Sequence, residues 1–262
     1  MSWHANIVSL QSRQFIQNTG PKHSAAGIIY GTVGVHPCSC GKITDEKYLA
    51  DVKELALSAK EAGYCVAFGE IGLDYDRLTL CSKDLQLEYF AKQLDIAIDI
   101  ELPLFLHSRA AATDFAQILR ERLDRLPKRG VVHSFTGTEA EMLELVELGF
   151  DIGINGCSMK TEENIAVIRK IPLERIQLET DGPWCEMRAS HASAQFVKGM
   201  EEQWKSVKKE KWIAGAMVKG RNEPCMIGKV AKAVAGIRGE DVTVLTEAAW
   251  ANSLKMFGLG LT

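Results

Sequence analysis

The chain has 262 residues, of which 46% are hydrophobic and 25% are charged, a composition typical of a globular protein with a sizeable core. The formal net charge of −3 argues against a protein that grips nucleic acid through a broad basic surface, but it permits an enzyme that engages phosphates through metal ions. No run approaches the roughly 18 to 20 apolar residues of a membrane span, and residues 1–6 lack the pattern of a secretion signal, so we expect an intracellular protein, cytoplasmic or nuclear.

Hydrophobic periodicity and turn residues predict that short strands and helices alternate along the chain. The predicted strands lie near 28–35, 65–69, 102–106, 130–132, 150–154 and 176–180. The predicted helices lie near 7–18, 45–62, 84–98, 110–125, 138–149, 162–170 and 240–257, with another starting at Asn222, Glu223 and Pro224. In the helix that Asp84 is expected to cap, the expected buried stripe is Leu85, Leu87, Phe90, Leu94 and Ile98.

This alternation predicts an α/β fold with a parallel sheet and right-handed crossovers, and its closed form is a TIM (β/α)8-type barrel. Six strands are too few for closure, so we expect an incomplete barrel. Residues 1–262 are expected to form a single domain, because no internal repeat, low-complexity tract or linker interrupts the pattern. Residues 186–215 have weak periodicity and are expected to make a long excursion over one rim.

Four potential metal ligands each follow an apolar run: Glu70, His107, His133 and Asp181. Parallel α/β folds place their chemistry at the carboxyl ends of strands, so we expect these side chains to converge on one rim. Two imidazoles and two carboxylates suit a divalent transition-metal site. Each residue also has a structural interpretation, since a histidine at a strand end can be a hydrogen-bonded core residue and Asp181 can cap a turn.

Other polar and aromatic residues lie close to these ligands in the sequence. His36 is expected to contact a substrate phosphate or the scissile group, with plain hydrogen bonding as the alternative. Arg109 can pair with a phosphate through its planar fork or form a surface salt bridge. Trp184 and Phe135 can stack on unpaired bases or pack at the rim. Asp74 can hold a nearby arginine or orient a ligand.

The cysteines favour reduced thiols over a disulfide framework. There are seven, an odd number, and Cys65, Cys157 and Cys225 lie in or beside predicted core elements. Cys38 and Cys40 could together ligate a metal ion. No second pair follows at zinc-site spacing, which favours a plain loop.

Six short motifs carry a family resemblance, because they occur in one order with consistent spacing. They are Gly34-Val35-His36-Pro37, Gly69-Glu70-Ile71-Gly72-Leu73-Asp74, Leu106-His107-Ser108-Arg109, Val132-His133-Ser134-Phe135, Glu179-Thr180-Asp181-Gly182-Pro183-Trp184-Cys185 and Arg221-Asn222-Glu223-Pro224-Cys225. From about residue 28 to the end, the chain resembles the TatD family of metal-dependent deoxyribonucleases, and it is most similar to the eukaryotic TatD-domain-containing branch.

The resemblance implies a hydrolase that cuts phosphodiesters in DNA with metal-activated water, as a 3'-5' exonuclease, on an amidohydrolase-type barrel. It implies that Glu70, His107, His133 and Asp181 ligate metal. We further expect Asp181, Glu70 and His36 to be catalytic, with Asp181 orienting the attacking water. Two divalent ions are expected, with Glu70 bridging them; Mg²⁺ is favoured, and Mn²⁺ or Zn²⁺ are possible. DNA is the expected partner, with no protein partner evident. Relatives normally begin with a strand, a helix and a second strand, so the chain is expected to be shortened there.

Two alternatives stay open at this point. The same scaffold and ligands can serve a small-molecule amidohydrolase, although no candidate lysine stands at a strand end to be carbamylated between two metal ions. The shortened chain can also be an inactive isoform, because losing two strands from a closed barrel exposes sheet edges and part of the interior.

Overall fold

The protein is described by a computed structural model that covers residues 29–200 and 205–259. These residues form two compact units. The first comprises residues 29–133, 147–150 and 254–259, and the second comprises residues 134–146 and 151–253 without 201–204. The single domain expected over 1–262 stays a prediction, and the helix expected at 7–18 lies outside the described residues.

The described residues contain six strands that pair in parallel, each at the place that the sequence predicts. These are β1 (Gly31–Val33), β2 (Cys65–Asp74), β3 (Leu104–Arg109), β4 (Gly130–Val132), β5 (Asp151–Ile154) and β6 (Ile176–Leu178). The helices are α1 (Glu46–Glu61), α2 (Lys83–Ile100), α3 (Ala112–Arg120), α4 (Glu139–Glu147), α5 (Glu162–Ile168), α6 (Ile227–Arg238) and α7 (Val242–Phe257). Two short strands, β7 (Ser206–Val207) and β8 (Met217–Val218), were not predicted. Among the described helices, none is both long and apolar enough to cross a membrane.

The first unit is a parallel sheet with helices packed against it. Its strands follow one another in the order β1, β2, β3, β4. Helix α1 forms because Asp45 accepts a hydrogen bond from the Tyr48 backbone N–H at 3.0 Å, which satisfies one of the unpaired donors of the first turn. The buried residues of α1 recur every three or four positions, from Leu49 to Ala59, and so face the sheet.

The register of the sheet places the ends of β2, β3 and β4 at one edge. Gly72 of β2 lies beside His107 of β3, and Leu106 of β3 lies beside Val132 of β4. Because the strands are parallel, the residues that follow these pairs leave the sheet at the same edge. His107 and His133 are therefore brought together by strand register.

Two buried glutamines of α2 hold the backbone at this edge of the sheet. The Gln93 side chain accepts from Val35 N–H at 2.7 Å and donates to Val35 C=O at 3.0 Å. About two turns earlier in the same helix, Gln86 accepts from Asp74 N–H at 2.7 Å and donates to Asp74 C=O at 2.9 Å. Each side chain thus replaces the strand partner that these backbone groups would otherwise need.

Replacing Gln93 with leucine is expected to destabilise the protein by about 2 to 4 kcal/mol, because two buried backbone groups of Val35 lose their partners. Chemical unfolding monitored by circular dichroism measures this change. The matched control is Gln117→Leu on α3, where the side chain is exposed and bonds only Glu121. The control should stay within about 0.5 kcal/mol of the unmodified chain. Equal stability of both variants would contradict the role assigned to Gln93.

The second unit contains the paired strands β5 and β6 and the short pair β7 and β8. Buried Asp151 begins β5 and accepts a hydrogen bond from Gln177 Nε2 of β6 at 2.9 Å. Asn252 of α7 donates to the carbonyl groups of Leu173 and Ile176, both at 2.9 Å. These bonds fasten the last helix to the start of β6.

Some local expectations differ from the structure. Ser82, and not Asp84, is the residue before the first turn of α2. The predicted stripe is also displaced: Leu85 is exposed, whereas Gln86 and Gln93 are buried. The reason is that the two glutamines face the sheet to bond its backbone. Strand β2 runs on to Asp74, beyond the predicted end at residue 69, because its last residues pair with β3.

Candidate metal centre

Three of the predicted ligands meet in the first unit. The Glu70 Oε1 atom lies 2.7 Å from His107 Nδ1 and 2.6 Å from His133 Nε2. The two ring nitrogens are 3.3 Å apart. The Glu70 side chain is only 2% exposed, and the Phe105 ring stacks on His133 with centroids 4.9 Å apart. A buried carboxylate and two imidazoles therefore face one another: Glu70 lies within β2, His107 lies near the end of β3, and His133 directly follows β4.

Asp74 orients the ring of His107. Its Oδ2 atom lies 3.1 Å from His107 Nε2 and 3.8 Å from Arg77 Nε, so it contacts both the nearby arginine and a predicted ligand. A carboxylate only accepts, so each ring nitrogen of His107 donates to one, Nε2 to Asp74 and Nδ1 to Glu70; a cation bound at Nδ1 would take the place of its hydrogen. Histidines that bind metals are commonly oriented by a carboxylate in this way. Period-two spacing within β2 puts Asp74 on the same face as Glu70, a signal present in the sequence.

The charges of this cluster shift the pKa values of its members. Burial by itself raises the pKa of Glu70, but the charge on His133 and hydrogen bonds from both histidines outweigh it and hold the pKa well below its usual range. Burial lowers the pKa of His107, yet hydrogen bonds with Asp74 and Glu70 prevail and the pKa is raised. The carboxylate of Glu70 is therefore the stable anionic centre of the first unit.

His36 stands beside the cluster as a hydrogen-bond donor. Its Nδ1 atom accepts from the Cys38 backbone N–H at 3.1 Å, so the neutral ring carries its hydrogen on Nε2. Nε2 lies 3.5 Å from Glu70 Oε1. Burial lowers the pKa of His36 to about 4, although the Glu70 carboxylate acts in the opposite direction. Ligand atoms of His36, Glu70 and His107 lie within 4.8 Å of one another, so this trio could by distance hold a metal ion. The tautomer of His36, however, makes its Nε2 a hydrogen-bond donor and not a metal ligand.

The donor set fits a divalent cation. Ligands bound at about 2.1 Å to one ion stand about 3.0 to 3.4 Å apart, and the three separations among Glu70, His107 and His133 are within a few tenths of an ångström of that range. The buried Asp74 Oδ1 atom has no hydrogen-bond partner among the described residues, which marks excess negative charge beside His107. Nitrogen and oxygen donors together suit Mn²⁺ or Zn²⁺ better than Mg²⁺.

Asp181 belongs to the second unit, where it is part of a hydrogen-bonded cluster. Its Oδ2 atom accepts from the Cys185 thiol at 3.2 Å, and the Cys185 sulfur lies 3.9 Å from Ser134 Oγ. The Glu179 carboxylate accepts a short hydrogen bond from the Ser134 backbone N–H. Ser134, Asp181 and Cys185 all have left-handed backbone conformations, with φ values of 50°, 53° and 54°. Such conformations are costly for non-glycine residues and cluster at functional sites.

The remaining predicted residues differ in their exposure. Arg109 ends β3 two residues beyond His107, so the two side chains share one face of the strand. Trp184 is 68% exposed, whereas Phe135 is 6% exposed and its backbone N–H donates to Gly153 C=O. The burial of Phe135 favours packing over base stacking. Sequence reasoning did not identify the glutamine contacts or the bond from Ser134 to Glu179, because no local pattern encodes them.

Asp74→Asn is expected to weaken divalent-metal binding by about tenfold or more, because the amide carries no charge to hold the His107 ring. Isothermal titration with Mn²⁺ measures the effect. Asp76→Asn is the matched control, since Asp76 is exposed two residues away and should bind Mn²⁺ as the unmodified chain does. If both variants bind equally well, the orienting role of Asp74 is wrong.

An α/β chain with buried imidazole and carboxylate groups at the carboxyl ends of its parallel strands has the architecture of a metal-dependent hydrolase. Comparison with known proteins agrees: the family model described as "TatD related DNase" matches residues 3–258. The protein belongs to the TatD family. This match begins ahead of the first motif at Gly34, and so covers more of the chain than the resemblance expected from about residue 28.

Individual relatives support the same assignment. A Schizosaccharomyces pombe protein named "Deoxyribonuclease Tat-D" is 50% identical over 230 residues, covering 86% of this chain and 73% of that one. A Musicola paradisiaca protein named "3'-5' ssDNA/RNA exonuclease TatD" is 31% identical, covering 90% and 79%. The crystal structure of a TatD family hydrolase from Entamoeba histolytica has a TM-score of 0.80 and 34% identity, covering 87% and 74%. The predicted fold class, an α/β incomplete barrel of the amidohydrolase kind with six parallel strands, is confirmed.

Proposed function

We propose that the protein is a metal-dependent deoxyribonuclease that removes nucleotides from the 3' end of DNA. The observation that carries this proposal is the buried Glu70 carboxylate shared by His107 and His133, with Asp74 behind one ring, in a chain of the TatD family. The named activity of the S. pombe relative supports DNA as the substrate. The direction of cleavage is supported by the named activity of the more distant M. paradisiaca relative.

In this proposal Glu70, His107 and His133 hold a divalent ion. The chemistry that such an ion supplies is neutralisation of phosphate oxygens and easier ionisation of water. Neutral His36 donates a hydrogen bond from Nε2 toward the reacting phosphate, which a buried ring with a lowered pKa can do without adding charge. Arg109 pairs with a second phosphate oxygen, because its side chain shares the face of His107 on β3.

Asp181 is proposed as the fourth ligand and as the group that orients the attacking water. The family motif at residues 179–185 and the left-handed backbone of Asp181 support this role. Two ions are proposed, and Glu70, His107, His133 and Asp181 are the residues that would hold them. Metal analysis of the purified chain, combined with titration of Asp181→Asn, tests both statements, because loss of one ion per chain in the variant is the expected result.

The direct test uses protein stripped of metal with a chelator and assayed on single-stranded DNA with Mg²⁺, Mn²⁺ or Zn²⁺. Cleavage should require added metal, and a 5'-labelled strand should shorten stepwise from its 3' end. The variant carrying both His107→Ala and His133→Ala should be inactive with every ion. Undiminished cleavage by that variant overturns the proposal, and inhibition by cyclic amides but not by a dinucleotide would instead indicate a small-molecule amidohydrolase.

Trp184→Ala is expected to weaken binding of single-stranded DNA by about 5- to 150-fold, the effect of removing one stacked base. Trp184 presents a largely exposed ring a few residues after Asp181. Fluorescence anisotropy with a labelled oligonucleotide in Ca²⁺ measures binding without cleavage. Trp250→Ala, which removes an exposed ring from α7, is the control and should leave affinity unchanged. An equal loss of DNA affinity in both variants would show that the ring of Trp184 does not stack on a base.

A further inference from the structure

Two cysteines of the second unit lie side by side next to Asp181. Cys157 stands in the short helical turn Gly156–Met159 after β5, and Cys185 follows Trp184. A side chain at Gly156 would collide with the carbonyl oxygen of Cys185, so the two backbone segments are in direct contact. The Cys157 and Cys185 side chains are near enough for each thiol to shift the pKa of the other, and both are half-buried. Backbone contact of this kind brings two cysteines within reach of a disulfide, whose Cα atoms stand about 4.4 to 6.8 Å apart.

Cys185 also has a second partner. Its thiol donates to Asp181 Oδ2 at 3.2 Å, and its backbone is left-handed, with φ of 54°. The turn that carries Cys157 is fixed as well, because Asn155 Oδ1 accepts from Cys157 N–H at 2.8 Å and Asn155 Nδ2 donates to Glu179 at 3.3 Å. Both thiols are therefore held in place by the elements that hold Asp181.

We propose that Cys157 and Cys185 form a peroxide-sensitive dithiol whose oxidation withdraws the Cys185 hydrogen bond from Asp181. The Cys157 sulfur attacks one oxygen of hydrogen peroxide, the O–O bond breaks, and a sulfenic acid and one water result. The Cys185 sulfur then displaces the sulfenic hydroxyl, which leaves as a second water after taking up the Cys185 proton. Two thiols and one peroxide thus give one disulfide and two waters.

The surroundings of Cys157 favour the first step. The neighbouring Cys185 side chain lowers the pKa of Cys157 against the effect of burial, and the nearby Lys160 acts in the same direction. A thiolate is the nucleophile in this chemistry, and a second thiol at contact distance favours disulfide formation over further oxidation. Both features are supplied by the second unit alone.

The consequence follows from the loss of the thiol hydrogen. A disulfide sulfur cannot donate, so Asp181 loses its bond to Cys185. Groups that hydrogen-bond a metal ligand commonly contribute about tenfold or more to metal affinity. We therefore expect oxidation to weaken metal binding by about tenfold, an effect that rests on the proposed role of Asp181, whereas formation of the disulfide does not.

The test treats the full-length, metal-stripped chain with hydrogen peroxide, blocks remaining thiols and maps peptides by mass spectrometry. The expected result is a linked Cys157 and Cys185 peptide pair that dithiothreitol separates. Cys157→Ser and Cys185→Ser should each lack the link, and Cys225→Ser, which removes an exposed thiol, should retain it. Sulfinic acid on Cys157, or a link to another cysteine, overturns the proposal. The result for the unmodified chain decides this by itself, so the test does not depend on whether the variants fold.

A second measurement tests the effect on Asp181. Isothermal titration with Mn²⁺ should show about tenfold weaker binding by the oxidised chain than by the same sample after dithiothreitol. Cys157→Ser should bind equally before and after peroxide. If a chain that carries the mapped disulfide binds Mn²⁺ with unchanged affinity, the Cys185 hydrogen bond does not support metal binding by Asp181 and that step is refuted. If the reduced chain binds no Mn²⁺ at all, the result counts against the proposed function instead.

Discussion

Glu70→Gln is expected to lower nuclease activity by about 10³-fold or more, because both His107 Nδ1 and His133 Nε2 lie within 2.7 Å of this carboxylate. An amide oxygen has the shape of the ligand but not its charge, and a metal ion contributes several kcal/mol to a phosphoryl-type transition state, where each 1.4 kcal/mol is tenfold. Release of nucleotides from labelled single-stranded DNA at saturating Mn²⁺ is the measurement.

The control is Glu61→Gln at the end of α1, a substitution of the same chemistry on an exposed side chain, and it should retain full activity. Circular dichroism distinguishes loss of the site from loss of the fold. Glu70 is buried, and its burial is offset by the charge on His133 and by hydrogen bonds from both histidines. A folded Glu70→Gln chain that still cleaves DNA within tenfold of the unmodified rate would show that the centre lies elsewhere.

Much of the first unit could be predicted because its information is local. Strand β4 occupies residues 130–132 as the apolar run predicts, and α1 lies within one residue of its predicted ends at 45 and 62. The convergence of Glu70, His107 and His133 follows from the rule that parallel strands end at one edge. Their roles as metal ligands remain predictions, which the titrations and variants above address.

Other features depend on partners that are distant in sequence. Strand β2 extends to Asp74 because its end pairs with Ser108 and Arg109 of β3, a contact that no window around residue 70 contains. Gln86 and Gln93 occupy buried positions that a hydrophobic pattern assigns to apolar residues. The pattern fails there because it counts apolar surface and not unsatisfied backbone groups.

In the second unit, too, features encoded by local sequence could be predicted and features imposed by distant contacts could not. Strands β5 and β6 lie within their predicted ranges, since both are short apolar runs bounded by turns. The pair β7 and β8 was missed because two-residue strands carry no periodicity. The cluster of Ser134, Asp181 and Cys185 could not be derived either, because left-handed backbone at non-glycine residues is imposed by tertiary contacts.

Of the substitutions proposed here, Gly72→Ala is expected to destabilise the protein most. The free energy of unfolding should fall by about 4 kcal/mol or more, and Tm should fall on the order of 10 °C. Gly72 lies beside His107 in the sheet with φ of 145°, and an added Cβ would fall on the His107 carbonyl oxygen. The strands β2 and β3 would have to separate at the point where they bring Glu70, Asp74 and His107 together. Divalent metal should then no longer raise Tm in the variant.

Gly63→Ala separates the steric effect from backbone strain. Gly63 also has a positive φ, of 80°, but an added Cβ there meets nothing within 4 Å. The control should therefore cost only the roughly 1 to 2 kcal/mol of a left-handed alanine and keep its stabilisation by Mn²⁺. Thermal melts of both variants with and without Mn²⁺ give the comparison. Equal losses in the two variants would mean that the close approach of β2 to His107 does not hold the metal centre together.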